Sequence, residues 1–237
     1  MMRKLLRAIS LLALFPALLC GMAFGASHDN GSGFVELSPK WVSKLRAAKG
    51  ANQVIIVSGT KGSNAEFSMH EKGADGQWRR VLSAPAYIGK NGWGKKKEGD
   101  AKTPTGVFHF TMAFGINGDP GCPMGYTQVD DTHYWNGDSK SPRYNQFVST
   151  RDYDDFNKKE SEHIIDYDLA YTYALNISYN EDGRPGLGSA IFLHCYTKNH
   201  YTGGCVAIPQ KIMVEVLRRV NEGCVVVMDQ GAKVRDY

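Results

Sequence analysis

The stretch from Ala190 to Gln210 contains two residue types that together support nucleophilic catalysis. Its sequence is A-I-F-L-H-C-Y-T-K-N-H-Y-T-G-G-C-V-A-I-P-Q, with His194 ending one apolar run and Cys205 beginning another. A thiol becomes a strong nucleophile when a neighbouring group takes its proton, and an imidazole is the usual partner. The two residues are eleven positions apart. A hairpin-like return of the chain would therefore bring them within hydrogen-bonding distance.

Three interpretations of this stretch compete. In the first, Cys205 attacks, His194 is its base, and backbone N–H groups near Gly204 and Cys205 stabilise the oxyanion. In the second, a zinc ion is bound by His194, Cys195, His200 and Cys205, although this spacing matches no standard finger or ribbon. In the third, Cys195 or Cys205 is disulfide-bonded and His194 is an ordinary core histidine. The residues alone leave all three open.

The first 25 residues have the layout of a secretory signal peptide. Arg3, Lys4 and Arg7 precede an apolar run over 11–19, and small residues follow at positions 23 and 25. The run is short for a membrane span, with an uncleaved anchor as the alternative. We therefore expect export to the periplasm, the cell envelope or the extracellular space. We also expect three segments: a signal peptide at 1–25, a leader at 26–50 and a catalytic domain at 51–237.

Composition argues for one globular domain of nearly neutral charge. The chain has 28 Lys+Arg and 24 Asp+Glu, and removing the three basic residues of the signal peptide leaves 25 against 24. This balance gives no reason to expect a nucleic-acid partner. Four cysteines follow the signal peptide, namely Cys122, Cys195, Cys205 and Cys224. An even count in an exported protein is compatible with two disulfides, but a domain of this size does not require them.

Hydrophobic patterning predicts a mainly β (α+β) domain that opens as an antiparallel meander. The predicted strands are 53–58, 65–71, 78–87, 107–113, 170–180, 190–196 and 224–228. One helix is predicted from Pro209 to about Val220, because proline suits a first helical turn and an apolar face follows. A shorter helix is predicted at 39–48.

Two further segments bear on a binding site. Residues 95–102 are strongly charged, and from their composition we expect a solvated loop before the strand at 107–113. Residues 130–160 are polar and rich in aromatic side chains. They predict a long loop that either forms the wall or lid of a site or packs onto its own domain.

Three segments, in this order, resemble the L,D-transpeptidase catalytic domain. They are G-D-A-K-T-P-T-G-V-F at 99–108, S-A-I-F-L-H-C at 189–195 and T-G-G-C-V-A-I-P at 202–209. The resemblance extends from about Gln53 to Asp229 and includes the helix and last strand after the cysteine. Any one motif would be weak evidence, but all three in order within one chain are fairly specific.

The resemblance implies a β-sandwich-like fold and a cysteine acyl-transferase that acts on peptidoglycan stem peptides. Cys205 matches the family nucleophile, His194 the family histidine, and Gly204 the glycine before the cysteine. The resemblance assigns no substrate-binding residue, and we expect neither a metal nor another cofactor. Family enzymes form a thioester at the L-centre of a tetrapeptide stem and release the terminal D-alanine. An amine of a neighbouring stem, a D-amino acid, a lipoprotein or water then resolves the thioester.

The sequence departs from the family pattern around the cysteine. The usual S-H-G-C followed by one residue and arginine is here T-G-G-C-V-A, with Gly203 and Ala207 in place of histidine and arginine. His200 is the remaining imidazole in this loop. These changes leave substrate and acceptor open. The alternatives are a hydrolytic member, either an L,D-carboxypeptidase or endopeptidase or an enzyme cutting a peptidoglycan–protein link, and an inactive, disulfide-bonded cell-wall binding module.

Overall fold

The computed structural model describes residues 36–237, so the predicted signal peptide lies outside the described residues. The described range contains thirteen strands and one α-helix. The strands are β1 Glu36–Leu37, β2 Gln53–Gly59, β3 Asn64–Lys72, β4 Trp78–Tyr87, β5 Gly106–Gly115, β6 Thr127–Gln128, β7 His133–Asn136, β8 Gln146–Ser149, β9 Glu162–His163, β10 Ala174–Ile177, β11 Phe192–Cys195, β12 Val206–Ile208 and β13 Cys224–Gln230. The helix, α1, is Gln210–Arg219.

The main sheet closes on itself. Its strands follow the order β4-β12-β11-β10-β5-β13-β2-β3, and β3 also pairs with β4. Strands β2, β3 and β4 form the predicted antiparallel meander, while β11 with β12 and β13 with β2 are parallel pairs. The short strands β1 and β6 add to β4 and β5. The mainly β, β-sandwich-like fold with a single helix is therefore confirmed for the described residues.

The closed sheet and α1 share the main core. Side chains from β2, β3, β11 and β12 meet Met213, Val216 and Leu217 of the helix there, and all three are fully buried. The buried side chain of Gln53 caps the C-terminus of this helix. It donates to Arg219 O at 2.7 Å and accepts from the Asn221 N–H at 2.9 Å. The last helical carbonyls would otherwise lack partners. Helix α1 therefore packs in the main core beside β11 and β12, next to the segment that carries Cys205.

The prediction that residues 130–160 form a loop is wrong. These residues contribute to a second, three-stranded antiparallel sheet, β8-β7-β9, which we call the small sheet. Trp135 pairs with Phe147 on one face of this sheet, Tyr134 pairs with Val148 on the other, and both Trp135 and Val148 are buried. Trp135 and Phe147 pack against Phe114 and Phe192 of the main sheet, in the cluster that also contains Cys205. The small sheet thus forms one side of the site.

Two other element predictions need correction. Residues 170–180 begin not as a strand but as a 3-10 turn, Ala170–Thr172, and β10 occupies only Ala174–Ile177. Residues 39–48 form two 3-10 turns instead of one helix, because Leu45 between them has an extended ψ of 129°. Val42, Leu45 and Ala48 are nevertheless buried against the outer face of the sheet. In the described part of the chain, no helix has the length and apolar character needed to cross a membrane.

Candidate active site

Cys205 and His194 lie on the same face of two neighbouring parallel strands. In the register of β11 and β12, Leu193 pairs with Val206 and His194 with Ala207. Cys205 directly precedes β12 and therefore lies beside Phe192. Because side chains alternate between the faces of a sheet, Cys205, Phe192 and His194 project to one face while Leu193 and Val206 enter the main core. The two predicted site residues therefore lie on one face, but the predicted hairpin-like return is wrong, because β11 and β12 run parallel and the chain crosses over between them.

The Cys205 thiol is buried and protonated at rest. Its Sγ donates to Ala190 O at 3.2 Å and accepts from the Phe192 N–H at 3.3 Å, with 7% of the residue exposed. Burial and, to a smaller extent, the charge of Glu162 raise the pKa of Cys205 to about 12, although the hydrogen bond from the Phe192 N–H opposes this shift. A thiol in this state requires a base close by before it can attack.

The His194 imidazole is a neutral group with one nitrogen already engaged. Its Nδ1 lies 2.7 Å from Cys195 O, and because a carbonyl only accepts, Nδ1 carries the proton. Nε2 is consequently the nitrogen with a free lone pair. Burial lowers the pKa of His194 to about 4, against the opposing hydrogen bond to Cys195. The imidazole is therefore in the protonation state that a base requires at neutral pH.

Both residues line one cavity of about 480 Å³, which we call the Cys205 cavity. Among the hydrogen bonds of residues 36–237, none joins Cys205 directly to His194. Direct contact is not required in a site without substrate, since catalytic hydrogen bonds are often long before the substrate binds. The thiol and the imidazole are both neutral. We expect the proton to move from Sγ to the imidazole when the thiol attacks a substrate carbonyl.

The distant T-P-T-G-V-F element holds the cysteine in place. Both Thr202 Oγ1 and Thr103 Oγ1 donate to Cys205 O, at 2.7 Å and 3.3 Å. Thr103 is fully buried and also accepts the Gly89 N–H at 2.8 Å. Since Thr103 is 102 positions from Cys205, only tertiary folding could show that the first motif supports the third.

Gly204 occupies a conformation and a space that other residues do not fit. Its φ is +149°, and a Cβ at this position would lie 2.9 Å from Lys102 O and 3.2 Å from Ile191 Cδ1. Its N–H donates to Thr202 Oγ1 at 3.1 Å. The glycine before the cysteine therefore allows the loop to pass close to the 99–108 segment. Its proposed part in an oxyanion site stays a prediction.

Replacement of Gly204 by alanine is expected to destabilise the fold by about 1–3 kcal/mol, because it combines backbone strain with a clash against a backbone carbonyl. Urea unfolding of the purified protein measures this change. Gly203→Ala is the matched control, since a Cβ there meets no atom within 4 Å. Equal stability of the two variants would contradict the role given to Gly204.

The sequence analysis missed the ionisable residues that line the Cys205 cavity. Glu162 and Tyr171 lie on its wall, and the Tyr171 hydroxyl donates to Glu162 Oε2 at 2.5 Å. The Tyr171 ring packs edge-on against His194, with centroids 5.7 Å apart. Burial raises the pKa of Glu162 to about 7, and Glu98 adds to the shift against the Tyr171 hydrogen bond. Both residues lie outside the aromatic segment 130–160, and their local sequence carries no signal that singles them out.

The charged segment 95–102 is structured, contrary to the expected solvated loop. Lys95 is buried on the wall of the Cys205 cavity and pairs with Asp100 at 3.2 Å. Asp100 also accepts the backbone N–H groups of Lys96, Lys97 and Lys102. Its burial disfavours the charged form, but those three N–H groups and Lys95 together lower the pKa of Asp100 to about 2. This segment is a fixed part of the site.

The zinc and disulfide interpretations find no support in the geometry. Cys195 faces the main core, on the other side of the strand from His194. His200 stacks on Tyr87 with centroids 5.1 Å apart and is not among the residues that line the Cys205 cavity. All four cysteines of the described residues are free and buried. Cys205 is therefore available as a thiol.

Comparison with known proteins agrees with this architecture. Residues 53–228 match the family model described as YkuD, L,D-transpeptidase catalytic domain. Curated proteins provide no match. Similar solved structures include the helical cell shape determining protein Pgp2 from Campylobacter jejuni, at 16% identity and a TM-score of 0.41 over 76% of this chain and 48% of Pgp2. Another is an L,D-transpeptidase (Yku) from Stackebrandtia nassauensis, at 12% identity and a TM-score of 0.33 over 76% of this chain and 56% of that one.

The chain spans about half the length of these solved structures, and similarities this low add nothing about activity. The family match is different in kind, because it covers most of the chain and includes all three sequence motifs. It also includes both strands that carry His194 and Cys205. The chain therefore belongs to the L,D-transpeptidase catalytic-domain family.

Proposed function

We propose that this protein is an exported cysteine acyl-transferase that acts on peptidoglycan stem peptides through a thioester at Cys205. The observation that carries the proposal is the placement of Cys205 and His194 on one face of two adjacent strands, at the wall of a single cavity. Membership of the family supports a stem peptide as the substrate. The basic and apolar pattern of residues 1–25 supports export.

In the first half-reaction, His194 Nε2 takes the Sγ proton while Sγ attacks the carbonyl carbon at the L-centre of the stem. The C–S bond forms, and the carbonyl electron pair moves to oxygen. The imidazolium then gives its proton to the departing amine, and the C–N bond breaks to release the terminal D-alanine. The backbone N–H of Cys205, which lies close to its own Sγ, is the candidate donor to the oxyanion.

In the second half-reaction, His194 takes a proton from the acceptor. The acceptor attacks the thioester carbonyl, the C–S bond breaks, and the proton returns to sulfur. An amine acceptor gives a new peptide bond and hence a cross-link or a remodelled stem, whereas water gives a shortened stem. The neutral thiol and imidazole are restored at the end, so the chemistry balances without any further reactant.

The product mixture from purified protein and defined muropeptides tests the proposal. With disaccharide tetrapeptide, we expect a mass increase of the protein that corresponds to the acylated stem, together with free D-alanine. Dimers or D-amino-acid exchange products indicate transpeptidation, and tripeptides indicate hydrolysis. The same incubation is repeated with protein-linked muropeptides. If the protein binds these substrates but forms neither an adduct nor a product with any of them, it is a binding module and the proposal is wrong.

A further inference from the structure

We propose that Glu162, together with Tyr171, binds a primary ammonium group of the substrate inside the Cys205 cavity. This inference depends on the proposed function and deepens it, because it names a chemical group that the site recognises. Two sources supply such a group: the side chain of a diamino acid in the donor stem, and the amine that resolves the thioester. The experiment below distinguishes them.

The position of Glu162 is built by the small sheet. Glu162 is part of β9 and pairs with Trp135 of β7. Trp135 is 3% exposed and belongs to the same hydrophobic cluster as Cys205. The Glu162 carboxylate lines the cavity together with Cys205 and His194. A group bound by Glu162 is therefore held in the same space as the thiol.

Tyr171 fixes the orientation of the carboxylate. Its hydroxyl donates to Oε2 of Glu162, and its ring, which is 4% exposed, is packed against Phe114, Phe192 and His194. Because its ring is packed on several sides, Tyr171 holds its hydroxyl in a fixed position, and this hydroxyl fixes one oxygen of the Glu162 carboxylate. Carboxylates have about four lone-pair sites, and the remaining ones can accept from an ammonium group, which has three donors.

The charge of the cavity favours a cation. Glu98 and Glu160 line it in addition to Glu162, and a neighbouring cavity of about 620 Å³ shares both Glu98 and Glu160. The lysine on the wall, Lys95, is already paired with Asp100 at 3.2 Å. The Cys205 cavity and its neighbour therefore carry negative charge, which raises the local concentration of an amine and opposes an anion.

A bound ammonium group would also stabilise the charged form of Glu162, which burial disfavours. Burial and the nearby Glu98 raise the pKa of Glu162 to about 7, so a substantial fraction of this carboxyl group is protonated at neutral pH. A bound cation stabilises the carboxylate and lowers this pKa, and binding therefore releases protons near neutral pH. The charged and titratable groups that line the cavity with Glu162 are Lys95, Glu98, Glu160, Tyr167, Tyr171, His194, Tyr201 and Cys205. Affinity for an ammonium ligand is expected to increase as pH rises from 6 to about 8.

The donor source is tested by equilibrium binding to the Cys205→Ala protein, which cannot turn over. The probes are two stem tetrapeptides that differ only in their third residue, lysine or Nε-acetyl-lysine. We expect lysine to be preferred by about tenfold or more, as for charge-assisted hydrogen bonds, and Glu162→Gln to abolish the preference. Glu66→Gln, an exposed glutamate on β3 outside this cavity, is the control and should retain it.

The acceptor source is tested in the protein with Cys205 intact, by the ratio of aminolysis to hydrolysis of the thioester in the presence of a D-amino acid. If Glu162 binds the acceptor amine, Glu162→Gln lowers this ratio at least about tenfold. Both products come from the same thioester, so the ratio does not depend on how fast the thioester forms. The inference is overturned if Glu162→Gln alters neither the lysine preference nor this ratio, or weakens lysine and acetyl-lysine stems equally. If no thioester forms at all, the proposed function fails, and the binding measurement alone then decides the ammonium site.

Stability gives an independent readout for Glu162. Its pKa of about 7 exceeds the ordinary glutamate value of 4.5, so between these pH values the native state binds more protons than the unfolded state. Stability of the wild type therefore falls as pH rises through this window. Glu162→Gln removes this loss while keeping an acceptor for Tyr171. We expect its Tm relative to wild type to be higher at pH 8 than at pH 4.5, and a pH-independent difference would contradict the desolvated carboxylate.

Discussion

Substitution of Cys205 by alanine is expected to reduce thioester formation and product release to background, a loss in kcat/KM of at least about a thousandfold. The reason is that no other thiol reaches the Cys205 cavity: among the described residues, Cys122, Cys195 and Cys224 are buried in the main core. Intact-mass measurement of the protein after incubation with tetrapeptide muropeptides records the adduct directly. Cys205→Ser is expected to be nearly as inactive, because a hydroxyl is a much poorer nucleophile at neutral pH.

The fold should survive this substitution. The Cys205 side chain is small, and its two hydrogen bonds are to backbone groups of Ala190 and Phe192 at the edge of a cavity. A stability loss of about 1–2 kcal/mol, from the lost packing and hydrogen bonds, is the expected cost. Cys195→Ala is the matched control, because its thiol lies on the opposite face of β11 and its loss should leave the adduct intact. Full activity of Cys205→Ala, or loss of the adduct only in Cys195→Ala, would show that the nucleophile is misassigned.

Substitution of His194 by glutamine is expected to lower the rate of acylation by about a hundred- to ten-thousandfold, the usual contribution of a general base. Glutamine retains a donor for Cys195 O, so the strand and the cavity should keep their shape, but it has no basic nitrogen to take the Sγ proton. Single-turnover kinetics with the tetrapeptide stem measure the acylation step separately from resolution of the thioester.

The pH profile separates a base from a merely structural histidine. In the wild type, the pKa of His194 near 4 and the pKa of Cys205 near 12 leave the neutral pair dominant between them, so kcat/KM should be nearly constant from about pH 5 to pH 8 as far as this pair is concerned. In His194→Gln, attack depends on spontaneous thiolate, and the rate should rise about tenfold for each pH unit. A reduced but equally flat profile in the variant would instead indicate that His194 only supports the fold.

Much of the scaffold is local in origin and could be predicted from the sequence. The meander of β2, β3 and β4 follows from the apolar run at 53–58, the alternation at 65–71 and the turns between the strands, and β4 has the predicted bounds, 78–87. Helix α1 follows from Pro209 and the apolar face after it. The predictions that failed, at 39–48, 130–160 and 170–180, are segments whose conformation depends on what they pack against. Composition alone could not distinguish a long aromatic loop from the small sheet.

The sequence by itself determined the candidate pair, His194 and Cys205, and the family, because spacing and motif order are properties of the chain. Only the tertiary structure decided what surrounds the pair. Thr103 supports Cys205 from 102 positions away, Glu162 enters the cavity from the small sheet, and Tyr171 enters it from the 3-10 turn Ala170–Thr172. The physical reason is that burial, and the pKa shifts it causes, arise from contacts between segments far apart in sequence. Glu162 has no unusual property as part of a polar segment. It acquires one when folding partly desolvates its carboxyl group and places it in the cavity that contains Cys205.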